Sequence, residues 1–174
     1  GCQRVEGARV EGGAPEMGER VFKGTASDFR IFIEESRTGF TIPRWLGYRL
    51  SKPRAETLVQ NSAGESLENG NVRPIQFASV VVGKKSRAQS FVITNVGNRP
   101  LTGIGTTFKG EGFLEYAIMK APATALEPGE STVIKAAFHP MSRGRRNVSL
   151  QVSSSDADEA SFVIPLTGIG IVEL

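Results

Sequence analysis

The second half of the chain consists of short stretches in which apolar and polar residues alternate, separated by Gly, Pro, Asn, Asp or Ser. Seven such stretches follow residue 74: PIQFASVVVG, QSFVITNVGN, PLTGIGTTF, FLEYAIM, STVIKAAFHP, RNVSLQVSSS and SFVIPLTGIG. A period of two is typical of half-buried strands, and short strands between regular turn residues favour a sandwich. The sequence therefore predicts an all-β fold, a β-sandwich of about seven to eight strands with a short N-terminal β extension.

The alternation also assigns a core, because every second residue of a strand points to the same face. The chain has one cysteine, Cys2, so an internal disulfide is excluded and the fold depends on apolar burial. Burial contributes roughly 1.5–3 kcal/mol for each large apolar side chain. The predicted core residues are Phe91, Ile93, Ile134, Ala136, Phe138, Val148, Leu150, Val152, Phe162, Ile164 and Leu166.

Three parts are predicted along the chain. Residues 1–20 are rich in Gly and Glu and bury little apolar surface, so we expect a flexible tail. Residues 21–55 are too few for an independent sandwich, and form a β-hairpin extension or the remnant of a preceding domain. Residues 56–174 form the sandwich.

Alternation also predicts strands before the seven main stretches. Phe29–Glu35 has apolar residues on one face, and Arg37–Gly39 can turn the chain into a second arm, Phe40–Pro43. Thr57–Gln60 is predicted as the first edge strand of the sandwich.

Charge and hydropathy limit the classes of partner. Residues 1–73 carry 11 basic and 10 acidic residues, and residues 74–174 carry 10 and 8, so no basic surface for nucleic acid is expected. The basic clusters Lys84–Arg87 and Arg143–Arg146 fall at predicted turns and are interpreted as solvated loops. No apolar run approaches the roughly 18 residues of a membrane helix.

Residue chemistry argues against catalysis and transition-metal sites. The single histidine, His139, lies between Phe138 and Pro140 at a strand end, where a nucleophile, base and acid triad is not expected. One cysteine and one histidine cannot build a thiolate or imidazole metal centre, and no cofactor is predicted. Gly1-Cys2 matches the end of a bacterial lipoprotein signal, so a lipid anchor at Cys2 is an alternative to a free thiol.

Two groups of residues are candidate ligand sites. Asp156, Asp158 and Glu159 fall in one tight loop, and Ca²⁺ prefers clustered carboxylate oxygens, although an acidic hairpin tip is also ordinary turn chemistry. Trp45 and Tyr48 can stack on a sugar, or can fix their segment against a neighbouring domain.

Landmark residues are spaced over all strands of residues 56–172. They are Phe77, Gly83, Phe91, Ile93, Asn95, Gly97, Leu101, Thr102, Gly103, Leu126, Pro128, Gly129, Phe138, Pro140, Gly144, Leu166, Thr167 and Gly168. The spacing of these landmarks resembles the bacterial choice-of-anchor D domain, which is related to the ASH (abnormal spindle and hydin) and major sperm protein group of immunoglobulin-like sandwiches. Ala78 departs from the pattern, in which Gly is common, and residues 1–55 are not covered.

The resemblance implies a non-catalytic structural or protein-interaction module of a bacterial secreted or cell-envelope protein. It also implies that the partner is another protein or the neighbouring domains of a larger chain. No catalytic or cofactor-binding residue belongs to the pattern, so none is transferred to this sequence. Two alternatives remain: a carbohydrate-binding module that uses Trp45 and Tyr48, and an accessory domain of a larger secreted enzyme.

Overall fold

The computed structural model describes residues 54–70 and 73–173, together with short strands at residues 7–10, 30–33, 44–45 and 48–51. The chain divides into two compact units, Gly1–Pro53 and Arg54–Leu174. No helix in the described part is long and apolar enough to cross a membrane.

The described strands of the first unit form one sheet with the spatial order β1-β2-β4-β3. Strand β2 is parallel to both β1 and β4, whereas β3 and β4 are antiparallel. A strand predicted over Phe29–Glu35 is therefore confirmed as β2. The predicted turn Arg37–Gly39 and arm Phe40–Pro43 lie outside the described residues. The strands are β1 (Gly7–Val10), β2 (Arg30–Ile33), β3 (Arg44–Trp45) and β4 (Tyr48–Ser51).

Strand β1 lies within residues 1–20, for which the sequence predicts a flexible tail, and that prediction stays untested. Gly7–Val10 pairs with Arg30–Ile33 in an unbroken parallel register. A sheet ladder satisfies backbone groups whatever the size of the side chains, so a segment with few apolar residues can still pair with its neighbour. The rest of residues 1–20 lies outside the described part.

The second unit is the predicted sandwich, and its strands are antiparallel except where β6 and β7 pair with β15. One sheet has the order β10-β14-β15-β6, with β7 also paired to β15; the other has the order β11-β13-β8-β5. A two-stranded ribbon joins β9 and β12. The strands are β5 (Thr57–Gln60), β6 (Ile75–Gln76), β7 (Val80–Val81), β8 (Gln89–Asn95), β9 (Leu101–Thr102), β10 (Gly105–Lys109), β11 (Tyr116–Lys120), β12 (Ala125–Leu126), β13 (Ser131–Phe138), β14 (Gly144–Ser153) and β15 (Ser161–Ile171).

Both sheets contribute to one hydrophobic core, and every predicted core residue is buried. The first and third predicted stretches each divide into two short strands. Between β6 and β7 the side chain of Phe77 turns into the core, where it is 1% exposed. In the third stretch, β9 pairs with β12 while β10 pairs with β14, so this segment connects the ribbon to a main sheet.

Proline is tolerated inside the long strand β15 because its nitrogen faces the edge of the sheet. Backbone carbonyls of Val163 and Thr167, on either side of Pro165, accept hydrogen bonds from Gly70 and Phe77. Residues two apart in a strand direct their backbone groups to the same neighbour, so the missing N–H of Pro165 faces this side and not β14.

Aromatic packing closes the core at the ends of β13 and β11. The ring of Phe138 lies 4.9 Å from that of Tyr116 and 6.3 Å from that of Phe77. A Cβ atom at Gly168 would lie 2.6 Å from the Phe138 ring. The glycine predicted as a landmark on β15 is therefore required by close packing.

Asn95, at the end of β8, is fully buried and joins three segments of chain. Its Nδ2 donates to the carbonyls of Arg99 (2.8 Å) and Leu126 (3.0 Å). Its Oδ1 accepts from the N–H of Gly97 at 3.0 Å and, at a longer 3.5 Å, from that of Glu56. All four hydrogen-bonding positions of the amide are used.

We expect Asn95→Ala to lower the free energy of unfolding by about 3 kcal/mol, because one buried and three partly buried backbone groups lose their partner at once. Asn98→Ala is the matched control: its side chain accepts one exposed bond, from the N–H of Arg54, and its loss should cost about 1 kcal/mol or less. Urea denaturation followed by far-UV circular dichroism measures both. Equal losses in the two variants would contradict the central role of Asn95.

Candidate functional site

The chain begins the sandwich at residues 54–57, which are held by two loops at the same end of the fold. The first loop connects β8 to β9. In it, the N–H groups of Asn98 (3.0 Å) and Arg99 (3.3 Å) donate to the Arg54 carbonyl, and the N–H of Val96 donates to the Glu56 carbonyl at 2.9 Å. A Cβ atom at Gly97 would lie 2.3 Å from the Arg54 carbonyl oxygen, so only glycine permits this approach.

The second loop connects β14 to β15 and contains the carboxylates predicted to bind Ca²⁺. Asp156 is 1% exposed, although a hairpin tip predicts a solvated side chain. Its Oδ2 accepts from the N–H of Thr57 at 2.7 Å, and its Oδ1 accepts from those of Asp158 (3.3 Å) and Glu159 (3.4 Å). Asp156 thus binds the loop to itself and to β5.

Three carboxylates meet at this point: Glu56, Asp156 and Asp158 each place one oxygen within 4.8 Å of the others. Glu56 was not recognised in the sequence, and Glu159 is not part of this group. The guanidinium of Arg54 lies beside two of the three, with its Nε 2.7 Å from Glu56 Oε2 and its Nη1 3.1 Å from Asp158 Oδ2. The protein thus supplies a cation of its own to these carboxylates. Calcium binding by Asp156, Asp158 and Glu159 stays a prediction.

The pKa values of Glu56 and Asp156 are shifted in opposite directions. Burial and the neighbouring carboxylates, first among them Asp156, raise the pKa of Glu56, and Arg54 offsets only part of this. Burial alone would also raise the pKa of Asp156, but hydrogen bonds to its ionised form, led by that from Thr57, outweigh burial and lower the pKa.

The opposite end of the sandwich is organised around a buried ion pair. Glu115 is buried, and its Oε1 lies 2.5 Å from the Nε of Arg146. Its Oε2 accepts from the N–H of Met141 at 3.0 Å, and its backbone carbonyl accepts from that of His139 at 2.7 Å. The Tyr116 hydroxyl donates to the Arg146 carbonyl at 3.0 Å, and burial raises the pKa of this phenol.

The remaining candidate residues are placed as follows. Trp45 and Tyr48 are direct Cα partners in the antiparallel pair of β3 and β4. Cys2 lies outside the described residues. Lys84–Arg87 lies between β7 and β8 and is exposed apart from Ser86, as the sequence predicts for a solvated loop. In the cluster Arg143–Arg146, Arg146 instead pairs with Glu115, which sequence spacing did not indicate.

Asp156 and Glu56 give opposite predictions for the dependence of stability on pH. In Asp156 the folded-state pKa is lowered, so its stabilisation is present above the unfolded-state pKa of about 3.9 and is lost as the pH falls through the folded-state pKa. In Glu56 the folded-state pKa is raised, so the residue lowers stability as the pH rises above its unfolded value.

At pH 7 we therefore expect Asp156→Asn to lose about 2 kcal/mol, the usual contribution of hydrogen bonds to a buried charged group. Glu56→Gln should leave stability unchanged or raise it. Urea denaturation at about pH 7 and again near pH 3 measures both, and the difference between the variants should shrink in acid. Comparable losses in the two variants at pH 7 would contradict this assignment.

Comparison with solved structures shows the fold. A Porphyromonas gingivalis W83 protein of unknown function is 15% identical with a TM-score of 0.50, over 70% of this chain and 53% of its own length. This chain therefore spans about half of that protein. The ASH/PapD-like domain 7 of human CEP192 is 14% identical with a TM-score of 0.50, over 78% of this chain and 99% of that domain.

The Vibrio cholerae VesB protease is 20% identical with a TM-score of 0.41, over 55% of this chain and 29% of the protease. Among proteins of curated function, none matches this sequence significantly. The family model described as the HYDIN/CFA65/VesB-like, Ig-like domain matches residues 71–167, which is more than half of the chain. The predicted ASH-type, immunoglobulin-like domain is thereby confirmed, and the chain belongs to the HYDIN/CFA65/VesB-like Ig-like domain family.

Proposed function

We propose that this chain is a non-catalytic structural or protein-interaction module of a bacterial secreted or cell-envelope protein. The observation that carries the proposal is the use of the buried polar groups. Within the described sandwich the buried polar side chains form hydrogen bonds to other parts of the fold, so these groups stabilise the structure. They are Thr57, Asn95, Glu115, Asp156 and Thr167. Function then depends on exposed surface.

The edges of the two sheets support an interaction role. The outer side of β5 is covered by the chain that follows it: Gln60 bridges to Ser66, and the N–H of Leu67 donates to the Val59 carbonyl at 2.8 Å. Strands β10 and β11 each have a single partner strand among the described residues. Such edges can add a strand from another chain.

Of these two edges, β10 is the better template. Both strands end in a lysine, but the ladder of β11 shifts register between Ile118 and Lys120, and such a bulge discourages pairing. Strand β10 pairs with β14 over five residues without interruption. A partner that adds a strand would therefore join the sheet at β10.

The proposal predicts saturable binding of a protein partner by residues 54–173. The immobilised chain is incubated with envelope and secreted fractions of a bacterium that encodes it, beside an unrelated immunoglobulin-like domain of similar size and charge. Retained proteins are purified and titrated singly, and hydrogen exchange maps the protected segment. Enzymatic turnover by the chain, or no protein that binds in pairwise titration, would overturn the proposal.

Carbohydrate binding is the second candidate, and the direct pairing of Trp45 with Tyr48 favours it. Stacking on an aromatic ring is sensitive to loss of that ring, so Trp45→Ala should abolish saturable binding in a glycan titration. Phe32→Ala, which removes an aromatic residue from β2 of the same sheet, is the matched control and should bind normally. No binding to a broad glycan panel excludes this candidate.

A third candidate, an accessory domain of a larger secreted enzyme, draws support from the family name, which includes VesB.

A further inference from the structure

Large exposed apolar side chains are concentrated at one end of the sandwich. Seven occur in the described part: Val96, Phe113, Leu114, Met119, Met141, Ile171 and Val172. All but Val96 and Met119 lie in four segments that we name the basic end: residues 82–87, 110–115, 139–146 and 171–173. Leu114 is 69% exposed and Met141 is 60% exposed. Clustered exposed apolar residues mark interaction surfaces, whereas scattered ones do not.

The segments of the basic end are fastened to one another. Glu115 accepts from Met141, as described above, and the Gly83 N–H donates to the Pro140 carbonyl at 2.9 Å. The N–H of Val82 donates to the Ile171 carbonyl at 2.9 Å. A surface that is already ordered loses little conformational entropy when a partner binds.

Charge at this end has one dominant sign. Its acidic residues are Glu111, Glu115 and Glu173, and Glu115 is buried against Arg146. The basic residues number six: Lys84, Lys85, Arg87, Arg143, Arg145 and Arg146. The loops of the opposite end contain Arg54 and Arg99 and six acidic residues: Glu56, Glu127, Glu130, Asp156, Asp158 and Glu159.

The two ends do not neutralise each other. Strand β15 runs from one end to the other over 11 residues. At about 3.3 Å per residue its ends are roughly 33 Å apart, several times the Debye length of about 8 Å at physiological ionic strength. An approaching partner therefore meets the local field of the basic end rather than the net charge of the chain.

We propose that the basic end binds an acidic protein segment that also carries apolar side chains. This inference rests on the proposed interaction function and names its surface and partner chemistry. Phe, Met and Arg, which this end presents, are enriched at the centres of protein interfaces. Met adapts its shape to a partner. Binding of nucleic acid through phosphates would use the arginines but would not need Leu114 or Met141.

The test is selection of a displayed library of random 16-residue peptides on the full chain. Selected peptides should be rich in Asp, Glu and large apolar residues, and should bind more weakly as salt is raised. Affinity should fall about tenfold or more in Arg143→Glu/Arg145→Glu and in Leu114→Ser/Met141→Ser. All four side chains are exposed, so folding should be unaffected, which circular dichroism checks. Val96→Ser, at the opposite end, and Lys135→Glu, on β13, are matched controls that should bind normally.

Several outcomes would overturn the inference. One is a selection that enriches no peptide, or peptides without acidic residues; another is equal binding by the apolar double variant. A third is binding of single-stranded DNA or phosphatidylglycerol vesicles that depends on Arg143 and Arg145 while acidic peptides fail to bind. Protein binding that maps to β10 and survives both double variants would overturn this surface but support the proposed interaction function.

Discussion

The fold depends on the buried amide of Asn95, because it satisfies backbone groups that belong to three separate segments. A carboxamide has two donors and two acceptor positions, and here they meet the carbonyls of Arg99 and Leu126 and the N–H groups of Gly97 and Glu56. An apolar side chain in the same place would leave the buried Leu126 carbonyl and three partly buried groups without this partner, and burial of an unpaired polar group is costly. One side chain thus fixes where the sandwich begins, how β8 ends and where β12 ends.

Buried carboxylates do comparable work at both ends. Asp156 binds the β14–β15 loop to Thr57, and Glu115 binds the 3-10 turn Phe113–Glu115 to Met141 and Arg146. In each case backbone N–H groups or a guanidinium offset the cost of removing the carboxylate charge from water. The loops are consequently ordered without a disulfide, and the groups left for recognition are the exposed ones around them.

Much of the sandwich could be predicted because alternation is a local property. Ile134, Ala136 and Phe138 reveal their face from sequence spacing alone, and all three are buried. The carboxylate group could not be predicted, since Glu56 and Asp156 lie 100 positions apart and meet only through strand order. For the same reason Asp156 resembles a solvated hairpin tip in the sequence, although its partner Thr57 on β5 buries it.

The segregation of charge is also invisible in the sequence, and antiparallel topology explains why. Successive loops of an antiparallel sandwich alternate between its two ends. A long stretch of the sequence includes loops from both ends, so its net charge is close to zero although each end of the fold carries charge mainly of one sign. The folded chain separates them: the loops of Asp156 and Glu127 lie at one end of the sandwich, and the loops of Lys84 and Arg143 lie at the other. A field of this kind mainly raises association rate and selects orientation, while affinity depends on desolvated apolar contacts. The exposed Leu114 and Met141 lie where both contributions coincide, which gives this end of the sandwich both the charge to orient an acidic partner and the apolar surface to hold it.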